Sequence, residues 1–323
     1  RCGHPKKRVI MEPMDLKRAL VVGAGIMGHS IAQVFAQAGV EVDLVDLNGK
    51  ILRRAVNLIN VNLETLADAG RVSRGELEAI QARIHPTTLL PAPAEGIGFA
   101  IEAVSEVPDV KREVFSQLDE FCPEDTVLAS NTSTLDIFSI AEIKRPERLV
   151  VTHWFAPPHI IPLVEVVPGP TTSLAVVEFA AKLMERLGKK PVVMKAFVPS
   201  FIVNRIQNNI SRVVWEMLEK GWATAEQIDL AVKLSLGVRL PIVGVAQSLD
   251  FTGLDLLFDM MKSRGSVNPF VEEKVKRGHL GAKSSKGIYD YGGRSETEIL
   301  KKRDERYLKV LDQLEKIKAF EPI

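Results

Sequence analysis

A run of apolar residues at 19–22 is followed by Gly23, Gly25 and Gly28, then by Ile31, Val34, Phe35 and Ala38 at the spacing of a helix with one buried face. Gly39 gives that helix a stop signal, and a second apolar run fills 41–45. The pattern predicts strand, turn, helix, strand. Short apolar runs at 99–104, 126–129, 149–152, 163–167 and 192–195 predict the remaining strands of one sheet. Helical crossovers fit 110–121 and 134–143, the second capped by Ser133 or Thr134. Residues 50–83 read as a helix pair broken near Gly70, with Ile51, Ala55, Leu58, Ile59, Asn62 and Leu66 on one face.

Beyond a short linker at 196–200 the periodicity is helical throughout. A long helix at 201–221 places Ile202, Ile206, Ile210, Val213, Val214, Met217 and Leu218 inward. Others fit 225–236, 242–261 with breaks, and 268–277, and a charged amphipathic helix at 296–317 uses Ile299, Leu308, Leu311 and Leu314 as apolar contacts. Strands alternating with helices, then helices alone, predict an α/β fold: a Rossmann-type doubly wound sheet followed by an all-helical C-terminal domain. The expected boundaries are a disordered or expression-derived lead at 1–16, a Rossmann domain at 17–199, a helical domain at 200–293 and a helical extension at 294–323.

A length of 323 residues suits about two cores. A net charge of +1 with interspersed signs gives no reason to expect nucleic acid as a partner, and no apolar run approaches the length of a bilayer span. The two cysteines, Cys2 and Cys122, form no disulfide framework or metal motif, so no metal is expected. Their sparse use points to a reducing compartment, the cytoplasm, with a matrix location left open by the possibility of a trimmed targeting segment.

The glycine turn carries the first chemistry. In a G-x-G-x-x-G turn between strand and helix, Gly23 permits the tight bend, Gly25 leaves room for a pyrophosphate, and Gly28 lets the helix pack closely. Ile26 and Met27 lie inside the turn, and the helix beyond turns its free N–H groups toward the phosphates. Asp46, closing the second strand, is placed to accept hydrogen bonds from both ribose hydroxyls; a 2′-phosphate would be repelled, so NAD is the expected cofactor rather than NADP.

Ligands of parallel α/β sheets bind beyond the carboxyl ends of strands. Those ends carry Ser105 and Glu106, then Ser130, Asn131, Thr132 and Ser133, then His153; Glu165 lies inside the next strand. His153 is the candidate base, because oxidation of an alcohol by NAD requires a proton acceptor. A carboxylate on its other nitrogen would fix the tautomer and stabilise the imidazolium. Spacing leaves the pairing of His153 with Glu165 open. Arg53, Arg54, Arg71 and Arg74 read either as a solvated face or as a dock for an anionic substrate handle.

The motifs VVGAGIMGHSIA, EAVSEVPDVKREVF, SNTSTL, RPERLVVTHWFAPPHIIPLVEVV, PSFIVNRI and GAKSSKGIYDY, in this order, resemble the 3-hydroxyacyl-CoA dehydrogenase family over about residues 17–291. The resemblance implies L-specific oxidation of a 3-hydroxyl group by a homodimer joined through its helical domain. It makes His153 the base and Glu165 its partner, with Ser133 and Asn204 hydrogen-bonding the substrate. It places Asp46 on the ribose, with Glu106, Lys111, Asn131, Ser133 and Lys283 lining the cofactor site.

One departure stands out. The family's acyl-CoA enzymes usually have asparagine three residues after the histidine, where this chain has Ala156, so His159, Trp154 or a bound water would have to supply the missing polar group. The PPHIIPLVEVV segment also resembles branches that oxidise substrates without CoA, such as gulonate, carnitine and pyridine-carboxylate dehydrogenases. The lens crystallin relative implies a third alternative, a non-catalytic protein that binds NAD.

Overall fold

The computed structural model describes residues 12–90 and 96–321, which divide between Asn209 and Ile210 into two compact units. The first unit contains β1 (Arg18–Val22), α1 (Gly28–Gln37), β2 (Glu41–Val45), α2 (Gly49–Asp68), α3 (Leu77–Ala82), β3 (Ile84–Thr87), β4 (Ile97–Glu102) and α4 (Pro108–Phe121). It continues through β5 (Val127–Ser130), α5 (Ile137–Ile140), β6 (Leu149–Trp154), β7 (Leu163–Pro168), α6 (Leu174–Arg186) and β8 (Lys190–Val193). The eight strands lie in the order β3-β2-β1-β4-β5-β6-β7-β8. All neighbours are parallel except β6 and β7, which are antiparallel.

The period-two alternation of strand side chains divides the core into two layers. Val21, Leu44, Ile101 and Val166 point to the side of α1, α2 and α6, where Phe35 stacks on Phe99 at 5.6 Å. Leu20, Val45, Ala100 and Val151 point to the other side, against Phe115 and Leu118 of α4. Strand order reverses between β1 and β4, so the glycine turn after β1 opens at the switch point, where parallel sheets bind ligands.

Four sequence expectations for the first unit need correction. The chain places an eighth strand, β3, just past the predicted helix pair; its residues IHPT include a proline, tolerated because β3 is an edge strand, and only Ile84 is buried. The predicted helix at 134–143 shrinks to the single turn α5, capped by Asp136, because the backbone N–H groups of Ser133 and Thr134 are taken by Glu106. The last strand falls at 190–193 rather than 192–195. The lead is ordered at its end: Pro13–Asp15 form a 3-10 turn, Leu16 is fully buried, and Arg186 donates to the carbonyls of Pro13 and Leu16. Residues 1–11, including Cys2, lie outside the described residues.

Helix α7 (Val203–Glu219) crosses from the first unit into the second. The second unit then holds α8 (Ala225–Leu234), α9 (Leu236–Thr252), α10 (Leu254–Ser263), α11 (Pro269–Lys276) and α12 (Glu296–Lys316). α9 is bent at Gly244, whose φ of 63° suits glycine. Asp250, 1% exposed, accepts from the backbone of Ile288 and Tyr289 and from the Tyr291 hydroxyl, and so anchors the GIYDY segment. The predicted inward stripe of α7 is uncovered in the single chain: no residue of the helix is buried, and Ile206 and Ile210 are about 40% exposed. Leu308 of α12 is likewise exposed rather than a core contact.

Candidate active site

The turn after β1 has the shape a dinucleotide requires. A β-carbon at Gly23, where φ is 100°, would meet the Ala103 carbonyl oxygen at 2.5 Å, and one at Gly28 would meet the Gly23 carbonyl oxygen at 1.7 Å. A β-carbon at Gly25 would meet nothing within 4 Å, which leaves its backbone open to a ligand. Ile26 is 70% exposed beside it, while Met27 packs partly onto the core. Asp46 accepts from the backbone N–H of Ala24 at 3.0 Å and of Asn48 at 3.0 Å, tying the end of β2 to the turn. These residues fit NAD.

At the neighbouring strand end, Glu106 gathers the segment 132–134. One of its oxygens accepts from the Thr132 hydroxyl at 2.7 Å and from the N–H groups of Ser133 and Thr134 at 2.9 and 3.0 Å; the other lies 3.1 Å from the Lys111 ammonium. Partial burial opposes ionisation, but the Thr132 hydroxyl, the Lys111 charge and the backbone donors outweigh it and bring the Glu106 pKa down to about 2. The Ser133 hydroxyl has no protein partner among the described residues. Asn131 spends its side-chain oxygen on the N–H of Trp154 at 2.9 Å, which ties β5 to β6.

Lys111 does not line the cofactor site as expected. It is 1% exposed, with its ammonium 2.7 Å from Glu102, and it reaches the surface only through Glu106. Sequence reading passed over Glu102, which is fully buried and also bonded by Ser130 and the N–H of Val104. Burial pushes the Glu102 carboxyl above its ordinary range, against the pull of Lys111. A signal was available: a carboxylate within a buried strand requires a cation, and Lys111 starts the next helix. Lys283 lies in the second unit, where its ammonium pairs with Asp255 at 2.7 Å.

The β6–β7 register sets His153 opposite Glu165 on adjacent antiparallel strands. The imidazole Nδ1 and the Glu165 carboxylate are 2.7 Å apart, so Nδ1–H donates and Nε2 is left as the acceptor of the ring. Asn204, in the first turn of α7, brings its amide nitrogen within 3.4 Å of that Nε2 and 3.5 Å of the Ser133 carbonyl oxygen. The second Glu165 oxygen accepts from the N–H groups of Ile202 and Val203 at 3.0 Å, where α7 begins. The ring is only 3% exposed and is held between Phe155 and Phe201, with centroids at 4.5 and 5.1 Å. Ser200 and Phe201, with φ of 66° and 51°, carry left-handed backbone just ahead of that helix; such strain often collects at functional sites.

The structure therefore brings Ser133, His153, Glu165 and Asn204 into one cluster. Neither side chain suggested in place of the missing asparagine reaches the cluster. Trp154 turns into the core at 2% exposure, on the strand face opposite His153. His159 faces away to α1, with its Nδ1 2.8 Å from the Ser30 hydroxyl. Arg74 is paired with Asp68, whereas Arg53, Arg54 and Arg71 are exposed with no acidic partner among the described residues.

Family profiles match nearly the full length of this architecture: "3-hydroxyacyl-CoA dehydrogenase, NAD binding domain" over residues 18–197 and the C-terminal domain of the same enzymes over 201–291. The chain belongs to the 3-hydroxyacyl-CoA dehydrogenase family. It is an NAD-dependent dehydrogenase-like enzyme acting on a small-molecule substrate. It is 35% identical to the 3-hydroxyadipyl-CoA dehydrogenase of Escherichia coli (strain K12) across 88% of the chain, spanning 61% of that longer protein. It is 31% identical to the 5-formyl-3-hydroxy-2-methylpyridine 4-carboxylate 5-dehydrogenase of Mesorhizobium japonicum, across 85% of the chain and 91% of the relative. The crystal structure of a 3-hydroxyacyl-CoA dehydrogenase from Archaeoglobus fulgidus superposes with a TM-score of 0.76 at 31% identity, covering 92% of this chain and 99% of that one.

Proposed function

We propose that the protein oxidises the 3-hydroxyl group of an L-3-hydroxyacyl-CoA to the ketone, reversibly, with His153 as general base. The carrying observation is the 2.7 Å contact of His153 Nδ1 with Glu165, which orients a neutral Nε2 beside Asn204 and Ser133. NAD, when bound, supplies the hydride acceptor. Nε2 takes the hydroxyl proton, and the Glu165 carboxylate stabilises the resulting imidazolium. The free Ser133 hydroxyl and the Asn204 amide orient the substrate oxygen, while Phe155 and Phe201 exclude water from the ring. The carboxylates of Asp46 and Glu106 take the ribose side of the cofactor and Ile26 covers its turn. Arg53, Arg54 and Arg71 offer charge for a phosphorylated handle.

A second reading is a CoA-independent hydroxy-acid dehydrogenase. Ala156 favours it, since a site without that amide loses a polar anchor worth about 1–3 kcal/mol, and the pyridine-carboxylate relative is named for a substrate without CoA. Initial rates of NAD reduction on matched pairs of CoA thioesters and free 3-hydroxy acids separate the two. We expect kcat/KM at least about 100-fold higher for thioesters, the equivalent of nearly 3 kcal/mol of differential binding; equal rates remove CoA from the assignment. Turnover on either class argues against a crystallin-like, non-catalytic role.

The uncovered stripe of α7 supports a homodimer, because Ile206, Ile210 and Val213, at i, i+4 and i+7, continue one apolar face that the single chain leaves in water. Light scattering is expected to give twice the chain mass of 35.7 kDa, and Ile210→Glu to give a monomer. A monomeric wild type would reject this assembly.

A further inference from the structure

The inner face of α12 is cationic where packing calls for apolar residues. α12 lies against α9, and its contact stripe starts at Ile299, 5% exposed, in a small cluster with Tyr291 and Phe251. Positions three, four and seven further on would extend that cluster on an ordinary amphipathic helix; here they are Lys302, Arg303 and Arg306. Between these residues and α9 is a cavity of about 190 Å³, wholly within the second unit. Its walls include Ile242, Val243 and Phe251, and Arg294 completes a set of four cations with no acidic residue in the lining.

Arg303 is partly neutralised: its guanidinium binds Asp304 at 2.7 Å and lies 4.9 Å from the Phe251 ring. Arg294 uses one N–H on the Tyr291 carbonyl at 2.7 Å. Lys302 and Arg306 have no hydrogen bond or ion pair among the described residues. Like charges four residues apart on a helix repel, so this arrangement costs stability unless an anion sits between them. Three of the four cations belong to α12, and all four lie beyond residues 201–291, where the family's C-terminal domain matches.

We propose that this cavity binds a small phosphate monoester, its dianionic head held by Arg294, Lys302 and Arg306 and its carbon part resting on Ile242, Val243 and Phe251. Guanidinium forks match phosphate oxygens in pairs, and a dianion balances two free cations as a single carboxylate does not. The volume is below the roughly 300–1,000 Å³ of drug-sized sites, which excludes a dinucleotide or a CoA.

Calorimetric titration of the full chain, saturated with NAD to block the dinucleotide site, tests this with phenyl phosphate as probe at about pH 8, where the second phosphate ionisation is complete. The expected result is a Kd below ~1 mM that weakens with added salt, with no binding of benzyl alcohol. Both Lys302→Gln/Arg306→Gln and Lys302→Glu are expected to weaken binding at least about tenfold; Lys302→Arg keeps it. Because Lys302 and Arg306 are exposed, these variants are expected to melt with wild type. Unchanged affinity in the glutamine variant, absence of binding, or binding of an oligonucleotide but not of phenyl phosphate would each overturn the proposal.

Discussion

Replacing His153 by alanine is expected to lower kcat by about 10²–10⁴, the usual contribution of a positioned general base, while NAD affinity measured by calorimetry stays within about twofold. The separation follows from placement: the dinucleotide elements are the turn at Gly23–Gly28 and Asp46, and His153 shares no hydrogen bond with them. Glu165→Gln is the more discriminating variant. The native carboxylate does two acceptor jobs at once, one oxygen taking the imidazole N–H and the other the N–H groups of Ile202 and Val203. A glutamine has one acceptor oxygen. If it faces the imidazole, two helix N–H groups lose their partner; if it faces the helix, its NH₂ meets Nδ1 and forces the wrong tautomer. Either way kcat is expected to fall by roughly 10²–10⁴, as when a triad carboxylate becomes an amide. Full turnover in His153→Ala would remove the base from the mechanism, and full turnover in Glu165→Gln would reduce the pair to a packing contact.

What the sequence disclosed about this site depends on how local each constraint is. The glycine turn was legible because Gly23 and Gly28 are demanded by backbone atoms a few ångströms away, a requirement that only residue type can meet. Asp46 was legible for a similar reason, since its place at the end of β2 fixes it against Ala24. The strand ends carrying Glu106, Ser133 and His153 followed from apolar runs and the parallel-sheet rule. Helix faces were a weaker guide: the period-3.6 stripe of α7 marked an apolar side, but the expected inward burial is not met within the single chain. β3 and α5 escaped because their structure is set by neighbours rather than by their own residues, an edge beside β2 in one case and the grip of Glu106 in the other. Long-range polar pairs were the least visible. Ser30 and His159 are 129 positions apart, and no local pattern announces that they meet.

The same non-local character makes the buried pair of Lys111 and Glu102 the best place to test how the strand-end segment is held. Lys111→Ala is expected to cost about 3–5 kcal/mol, the usual result of stranding one member of a buried ion pair. Thermal unfolding would then shift down by roughly 6–20 °C for a unit of this size. The penalty is the unpaired carboxylate itself, because Glu102 is fully buried and its remaining donors, Ser130 and the Val104 N–H, do not neutralise it. If that is the cause, removing the charge repairs the defect. Glu102→Gln/Lys111→Met keeps an acceptor for Val104 and fills the lysine's volume, and its melting temperature is expected within a few degrees of wild type, at a cost below about 1.5 kcal/mol. Activity need not recover with stability. Glu106 loses its 3.1 Å contact with the ammonium in both variants, and its depressed pKa rests partly on that charge. The double variant is therefore expected to fold like wild type yet show a raised KM for NAD, since the Glu106 carboxylate is held less firmly at the cofactor edge. A double variant as unstable as Lys111→Ala would locate the energy in the lysine's packing instead of its charge. One with unchanged KM would show that Glu106 holds its segment without help from below.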